Sequence, residues 1–293
     1  MVIQSVLMLF GVFFVMLFVG VPISVGIGIA SIVTALASFE PNPGIGVLSF
    51  IAAQRSFSGI DSFSLLALPF FTLAGNIMNK GGIANRLVRL ARLFVGWIPG
   101  YLAATNVLAN MFFGAISGSS VAATSAMGSI MSPLELEEGY DPNYSAAVNI
   151  CSAPTGIIIP PSGPLILYSI TAGGVSVAAL FMGGYLPGAL LGICVLVVAM
   201  FIAYKKGYKS STVKEDIPAI KIVIDAIPSL LAVILVMAGI LLGWFTATEA
   251  GVVAVLYCGA LGFIYRELTV KNVYELLADT MMSSATILFL IST

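Results

Sequence analysis

Residues 110–128 read NMFFGAISGSSVAATSAMG: an apolar helix runs into Gly114, Ser117, Gly118, Ser119 and Ser120, then resumes. A helix that only crosses a bilayer gains nothing from so many backbone-exposing and hydroxyl-bearing residues at its middle. The flanks Leu102–Phe113 and Val121–Met131 are each about 11–12 residues, near 17 Å, or roughly half of a 30 Å hydrocarbon core. The spacing predicts a re-entrant hairpin over about 101–131, two half-helices whose turn lies near the bilayer midplane. Unpaired backbone at that depth is stable only when it is buried in protein or lines a cavity.

The start of the second half-helix offers free N–H groups and a partial positive charge suited to a carboxylate, with Ser119 or Ser120 as its cap. Carbonyls and hydroxyls around Ser117 and Gly118 are hard oxygen ligands of the kind that replace water around a small cation. A plainer meaning stands beside this one. Gly114, Gly118, Ala122 and Ala126 form a small-residue stripe at i, i+4 spacing, which lets helices approach closely.

A second interruption lies in CSAPTGIIIPPSGPLILYS, residues 151–169. Pro154, Pro160, Pro161 and Pro164 each remove an N–H and crowd the preceding turn at about 3 kcal/mol, so the segment at about 144–170 is a discontinuous helix. The break is expected near Ala153–Gly156, about ten residues into the span and again at mid-membrane depth.

The rest of the chain sets the context. Of 293 residues, 59% are hydrophobic and 9% charged, with mean hydropathy +1.10. A soluble domain has roughly 25% charged residues, so the chain reads as an all-α polytopic membrane protein in a lipid bilayer. A net charge of -1 excludes nucleic acid as a partner. There is no histidine, which removes His-based nucleophilic catalysis and most zinc sites. No G-x-S-x-G is present either, so a serine hydrolase is a poor rival and no enzyme is expected. Cys151, Cys194 and Cys258 lie in apolar surroundings without metal-like spacing and read as packing residues. Glu249, in WFTATEAG, has the place of a helix-end residue, and Glu135, Glu137 and Glu138 read as a solvated loop.

Two helices are expected over Ser5–Val19 and Val21–Phe39, broken by Pro22, then an interfacial helix over Ile45–Phe57 and a span over Ser62–Asn79. Arg86, Arg89 and Arg92 make one basic helix face. Further spans fall at 177–204, Ala226–Phe245 and Thr248–Tyr265. Five of the twelve basic residues crowd the loop 205–221, which places it in the cytoplasm. With a re-entrant hairpin between them, the arginine cluster falls on the same side. The order of elements then starts again about 225 residues on, in opposite orientation, as in inverted-repeat carriers. The chain therefore divides into a first repeat, 1–222, and the start of a second, 223–293.

Four separated motifs, FFGAISGSSVAATSAMG, SAPTGIIIPPSGPLILY, GGYLPGAL and GWFTATEAG, resemble the large membrane subunit of TRAP transporters, the tripartite ATP-independent periplasmic carriers. The resemblance implies an elevator-type carrier of the bacterial inner membrane, driven by Na+ and importing organic acids such as C4-dicarboxylates or sialic acids. It implies two partners, a small membrane subunit and a periplasmic substrate-binding protein. Carried onto this chain, it implies a sodium site at Ser117, Gly118, Ser119, Ser152, Thr155 and Gly156, and a substrate site at Ser117, Ser119, Ser120 and Thr155. That family's subunit continues beyond the position of Thr293, so the resemblance also implies a C-terminally truncated chain with an incomplete second repeat. A sodium–carboxylate carrier working without a binding protein is the alternative.

The charge pattern generates a topological prediction. With the three native cysteines replaced, single cysteines at Ser211 and Glu138 should both resist an impermeant thiol reagent applied to intact cells. Labelling at Glu138 alone would make the hairpin a full crossing.

Overall fold

The computed structural model describes residues 2–38, 44–209 and 218–293, and among them every regular element is helical. The described residues form two compact units: the N-terminal region through Phe63 packs with Met281–Thr293, and Ser64–Thr280 forms the other. This division follows packing, and it differs from the partition at 222, which follows the order of elements.

In the first unit, α1 (Val2–Phe18) and α2 (Ile23–Ser38) meet at Gly20, whose φ of +87° suits glycine, and at Pro22. They run antiparallel. Ser5 Oγ lies 2.8 Å from Ser38 Oγ at one end, while Gly26 faces Met16 at the other. The segment expected to lie at an interface, Ile45–Phe57, falls within a regular helix, α3 (Gly44–Ile60).

The second unit opens with α4 (Ala67–Lys80) and α5 (Ile83–Val95). α5 is amphipathic: Leu87, Val88 and Ala91 are buried while Asn85 and Arg89 are exposed. The hairpin follows as α6 (Tyr101–Ser117) and α7 (Ser120–Glu137), separated by Gly118 and Ser119. Two bonds show that it folds back on itself. Asn106 Nδ2 donates to Glu135 Oε1 at 3.1 Å and Tyr101 Oη to Glu138 Oε1 at 3.2 Å, so the start of α6 lies beside the end of α7. The arms are longer than expected, 17 and 18 residues or about 26–27 Å. Leu and Glu in SPLELEEG are good helix formers and extend α7 until Gly139, at φ +76°, ends the turn.

α8 (Pro142–Ile158) and α9 (Gly163–Thr171) are the discontinuous helix, bent by 50°. The break is at Ile159–Ser162 rather than Ala153–Gly156. A lone proline, Pro154, is absorbed within α8, whereas two in succession at 160–161 remove two N–H groups and end it. α10 (Val177–Lys205) presents Gly184, Gly188 and Gly192 at i, i+4 spacing, which receive Ile158, Ile159 and Met111.

α11 (Ala219–Leu241), α12 (Ala247–Ile264) and α13 (Val270–Ser292) complete the chain. α11 starts earlier than expected, so Lys221 is helical and the position 222 falls inside it; residues 210–217 of the basic loop lie outside the described ones. Glu249 has the end-capping place read for it: its Oε2 accepts from Thr246 N at 2.7 Å, and Thr246 Oγ1 accepts from Glu249 N in return. By length and composition four described helices suffice to cross a membrane, and up to six spans result if each bent pair counts as one.

Close helix approach makes a stability prediction. A Cβ on Gly156 would lie 2.5 Å from Gly114 Cα, whereas one on Gly183 would meet nothing within 4 Å. Gly156→Val should lower the thermal unfolding temperature in detergent, reflecting about 1–3 kcal/mol of overpacking. Gly183→Ala should leave it unchanged or raise it.

Candidate functional site

The hairpin tip forms because glycine and serine each supply what a helix end lacks. Gly118 takes φ +62° and its N–H closes α6 on Gly114 O at 2.8 Å. Ser119 is extended, and its Oγ accepts from Ala122 N at 3.3 Å, the cap expected at the start of α7. The N–H groups of Ser120 and Val121 have no acceptor within the helix. Ser117 is buried at 2% exposure, backed by Gly75 of α4, where a Cβ would lie 2.8 Å from Ser117 Cβ.

The tip meets the break. A Cβ on Gly118 would lie 3.1 Å from Gly163 N and 3.8 Å from Pro161 O, so these backbones touch without intervening side chains. Between Pro161 and Gly163 sits Ser162, fully buried, its hydroxyl without a hydrogen-bond partner. Pro160 and Pro161 carry no N–H, so the carbonyls of Gly156 and Ile157 lose their helical donors. Backbone oxygens, hydroxyls and the positive end of α7 therefore converge on one place, built wholly within the second unit.

The sequence-predicted residues divide into two groups. Ser117, Gly118, Ser119 and Ser120 lie together at the tip, as the sequence indicates. Ser152, Thr155 and Gly156 lie in the last turns of α8, ahead of the break rather than in it. Thr155 Oγ1 donates to Ser152 O at 2.6 Å, Ser152 Oγ donates to Asn149 O at 3.2 Å, and Gly156 packs on Gly114. Both hydroxyls are fully buried, and Ser152 Oγ also accepts from Asn110 Nδ2 of α6 at 2.9 Å.

Sequence reasoning missed the polar chain that backs this site. Buried Glu135 accepts from Asn106, and Asn110 Nδ2 lies within 3.1 Å of four oxygens: Asn106 O, Asn106 Oδ1, Asn149 Oδ1 and Ser152 Oγ. Asn149 Nδ2 in turn donates to Thr124 O at 2.9 Å, tying α8 to α7. Glu135 is 1% exposed and helical, which corrects its reading as part of a solvated loop, whereas Glu137 and Glu138 are exposed. Asn106 and Asn110 at i, i+4 in an otherwise apolar helix, and Met127, Met131 and Glu135 on one face of α7, were the available signal.

The family model described as "Tripartite ATP-independent periplasmic transporter, DctM component" matches residues 10–293. The uncharacterised protein YgiK of Salmonella typhimurium is 47% identical over 99% of this chain and 66% of its own length. The C4-dicarboxylate TRAP transporter large permease protein DctM of Vibrio cholerae is 38% identical over 90% of this chain and 57% of its own. The sialic acid TRAP transporter large permease protein SiaM of the same organism is 34% identical over 94% and 63%. The chain thus spans less than two thirds of the length of these relatives.

The unpartnered hydroxyl and the asparagine chain make opposite stability predictions. Without added sodium, Ser162→Ala should keep or raise the unfolding temperature, since a buried unpaired hydroxyl costs about 1–3 kcal/mol. Asn110→Leu should lower it by a similar amount, because it strands the oxygens of Asn149 and Ser152. Thermal melts of the two purified variants against the parent chain distinguish them.

Proposed function

The chain belongs to the DctM component family of tripartite ATP-independent periplasmic transporters, and on that premise we propose that it is part of the large membrane subunit of a sodium-coupled importer of carboxylate-bearing organic acids. The observation that carries this reading is the contact of the hairpin tip with the α8–α9 break around the buried, unpartnered Ser162. Sodium takes oxygens from Ser117, Gly118, Ser119, Ser162 and the freed carbonyl of Gly156. Ser152 and Thr155 hold that edge of the site in place.

The carboxylate of the solute is received by the N–H groups of Ser120 and Val121 and by the Ser119 and Ser120 hydroxyls, at the positive end of α7. With the cation beside it, the charge of that carboxylate is largely neutralised. That offsets the cost of bringing an isolated anion to membrane depth and couples the two fluxes. C4-dicarboxylates and sialic acids, named for the relatives, have such carboxylates. The hairpin tip and the break contain no arginine, so selection among acids is assigned to a periplasmic binding protein, and a small membrane subunit completes the assembly. We place it in the bacterial inner membrane with the 205–221 loop in the cytoplasm.

The test is uptake in proteoliposomes by the complete permease with its small subunit and binding protein. Transport should require an inward sodium gradient and the binding protein. Ser119→Ala and Ser162→Ala should each raise the sodium concentration for half-maximal rate about three- to twelve-fold, as expected for losing one neutral ligand. Unchanged sodium activation in both variants would remove the site, and full uptake without the binding protein would favour a carrier that works without one.

A further inference from the structure

Away from the tip and break, a cavity of about 310 Å³ opens where the start of α5, the first turns of α11 and the segment after α12 come together. Its polar walls are Asn85, Arg86, Arg89, Asp225 and Glu267, with Gly82 and Ile222 beneath. Two cations and two carboxylates thus share one space. Arg86 is fixed in the wall: its Nη1 donates to Gly82 O at 2.8 Å and its guanidinium lies 3.5 Å over the Tyr265 ring. Gly82 is at φ +72°, and a Cβ there would come within 2.9 Å of both Arg86 Nη1 and Glu267 Cγ. Among the described residues, the side chains of Arg89, Asp225 and Glu267 take part in no ion pair or hydrogen bond. Opposite charges that face one cavity without closing on each other are arranged for a ligand with both signs.

The surroundings say what kind of ligand. Beside Asp225, Ile224 is 57% and Ile227 51% exposed on α11; ahead of Glu267, Phe263 is 52% and Ile264 70% exposed at the end of α12. In a polytopic membrane protein such faces lie against acyl chains, which puts the charged cavity at the level of the headgroups.

We propose that this cavity binds the headgroup of an aminophospholipid: the phosphodiester on Arg89, Arg86 and Asn85, and the primary ammonium on Asp225 and Glu267. A guanidinium fork matches phosphate oxygens, and an ammonium has three donors for two carboxylates. The exposed faces of α11 and α12 take the acyl chains. A purely anionic lipid satisfies the arginines but faces both carboxylates, and so binds more weakly.

Native mass spectrometry and lipid titration of the delipidated, purified chain test this, with phosphatidylethanolamine, phosphatidylglycerol and inorganic phosphate as separate probes. The native chain should retain phosphatidylethanolamine in preference to phosphatidylglycerol. Arg89→Ala should weaken phosphatidylethanolamine binding about tenfold, the loss of one charge-assisted contact. Asp225→Asn with Glu267→Gln should invert the preference towards phosphatidylglycerol. These side chains are exposed, so an unchanged melting profile serves as the folding control; if either variant fails it, Arg89→Lys and Asp225→Asn alone replace them. Equal binding of both lipids to the native chain, affinities indifferent to these changes, or displacement of the lipid by millimolar inorganic phosphate would each overturn the assignment.

Discussion

The second unit is organised around one crossing, where α6 and α8 meet backbone to backbone at Gly114 and Gly156. There is no room for a methyl group on either side: a Cβ on Gly156 would sit 2.6 Å from Asn110 O, and one on Gly114 would sit 2.7 Å from Gly156 Cα. Bilayers supply little hydrophobic force between helices, so packing and interhelical hydrogen bonds have to hold them together. Close approach provides both here. It brings Asn110 within 2.9 Å of Asn149 and Ser152 across the interface, and it delivers the end of α8 to the hairpin tip. A wider spacing would break the amide contacts and part the tip from Gly163.

Much of this was legible because it depends on local chemistry. Gly118 and Ser119 between two apolar runs suit a helix end followed by a helix start, and the hairpin is there. The break lies nearly two turns later than expected because a proline penalty is a local quantity, while its tolerance depends on neighbours. Pro154 stays helical inside a helix clamped on both sides of it, by Asn149 and by Gly156, whereas the adjacent Pro160 and Pro161 exceed what packing can absorb. Buried polar groups were the harder part. Glu135 is a residue type that composition assigns to water, and its partner on another helix, Asn106, satisfies its carboxyl in the interior. Ser162 could not be singled out among many serines, since its isolation is a property of the assembled interior.

The base of the hairpin is held differently from its tip. Tyr208, just past α10, stacks on Tyr140 at 3.9 Å, and its hydroxyl accepts from Asp141 N at 2.9 Å. Lys206 Nζ reaches Asp141 Oδ2 at 2.6 Å, and this contact holds the Asp141 carboxyl below the usual carboxylate range. Asp141 also caps α8 through Asn143 N. One residue therefore fixes the end of α10 to the link between hairpin and broken helix. The aromatic stack and ion pair anchor this end of the hairpin.

The bare glycine contact at that other end has a mechanical consequence. Gly118 and Gly163 touch through main chain alone, so nothing interlocks across the contact. Separating interdigitated side chains means unplugging each from its socket, whereas two smooth backbones lose only scattered dispersion contacts of about 0.1–0.2 kcal/mol per atom pair. Resistance to sliding at such a joint is low. In mechanical terms the contact is a bearing rather than a latch.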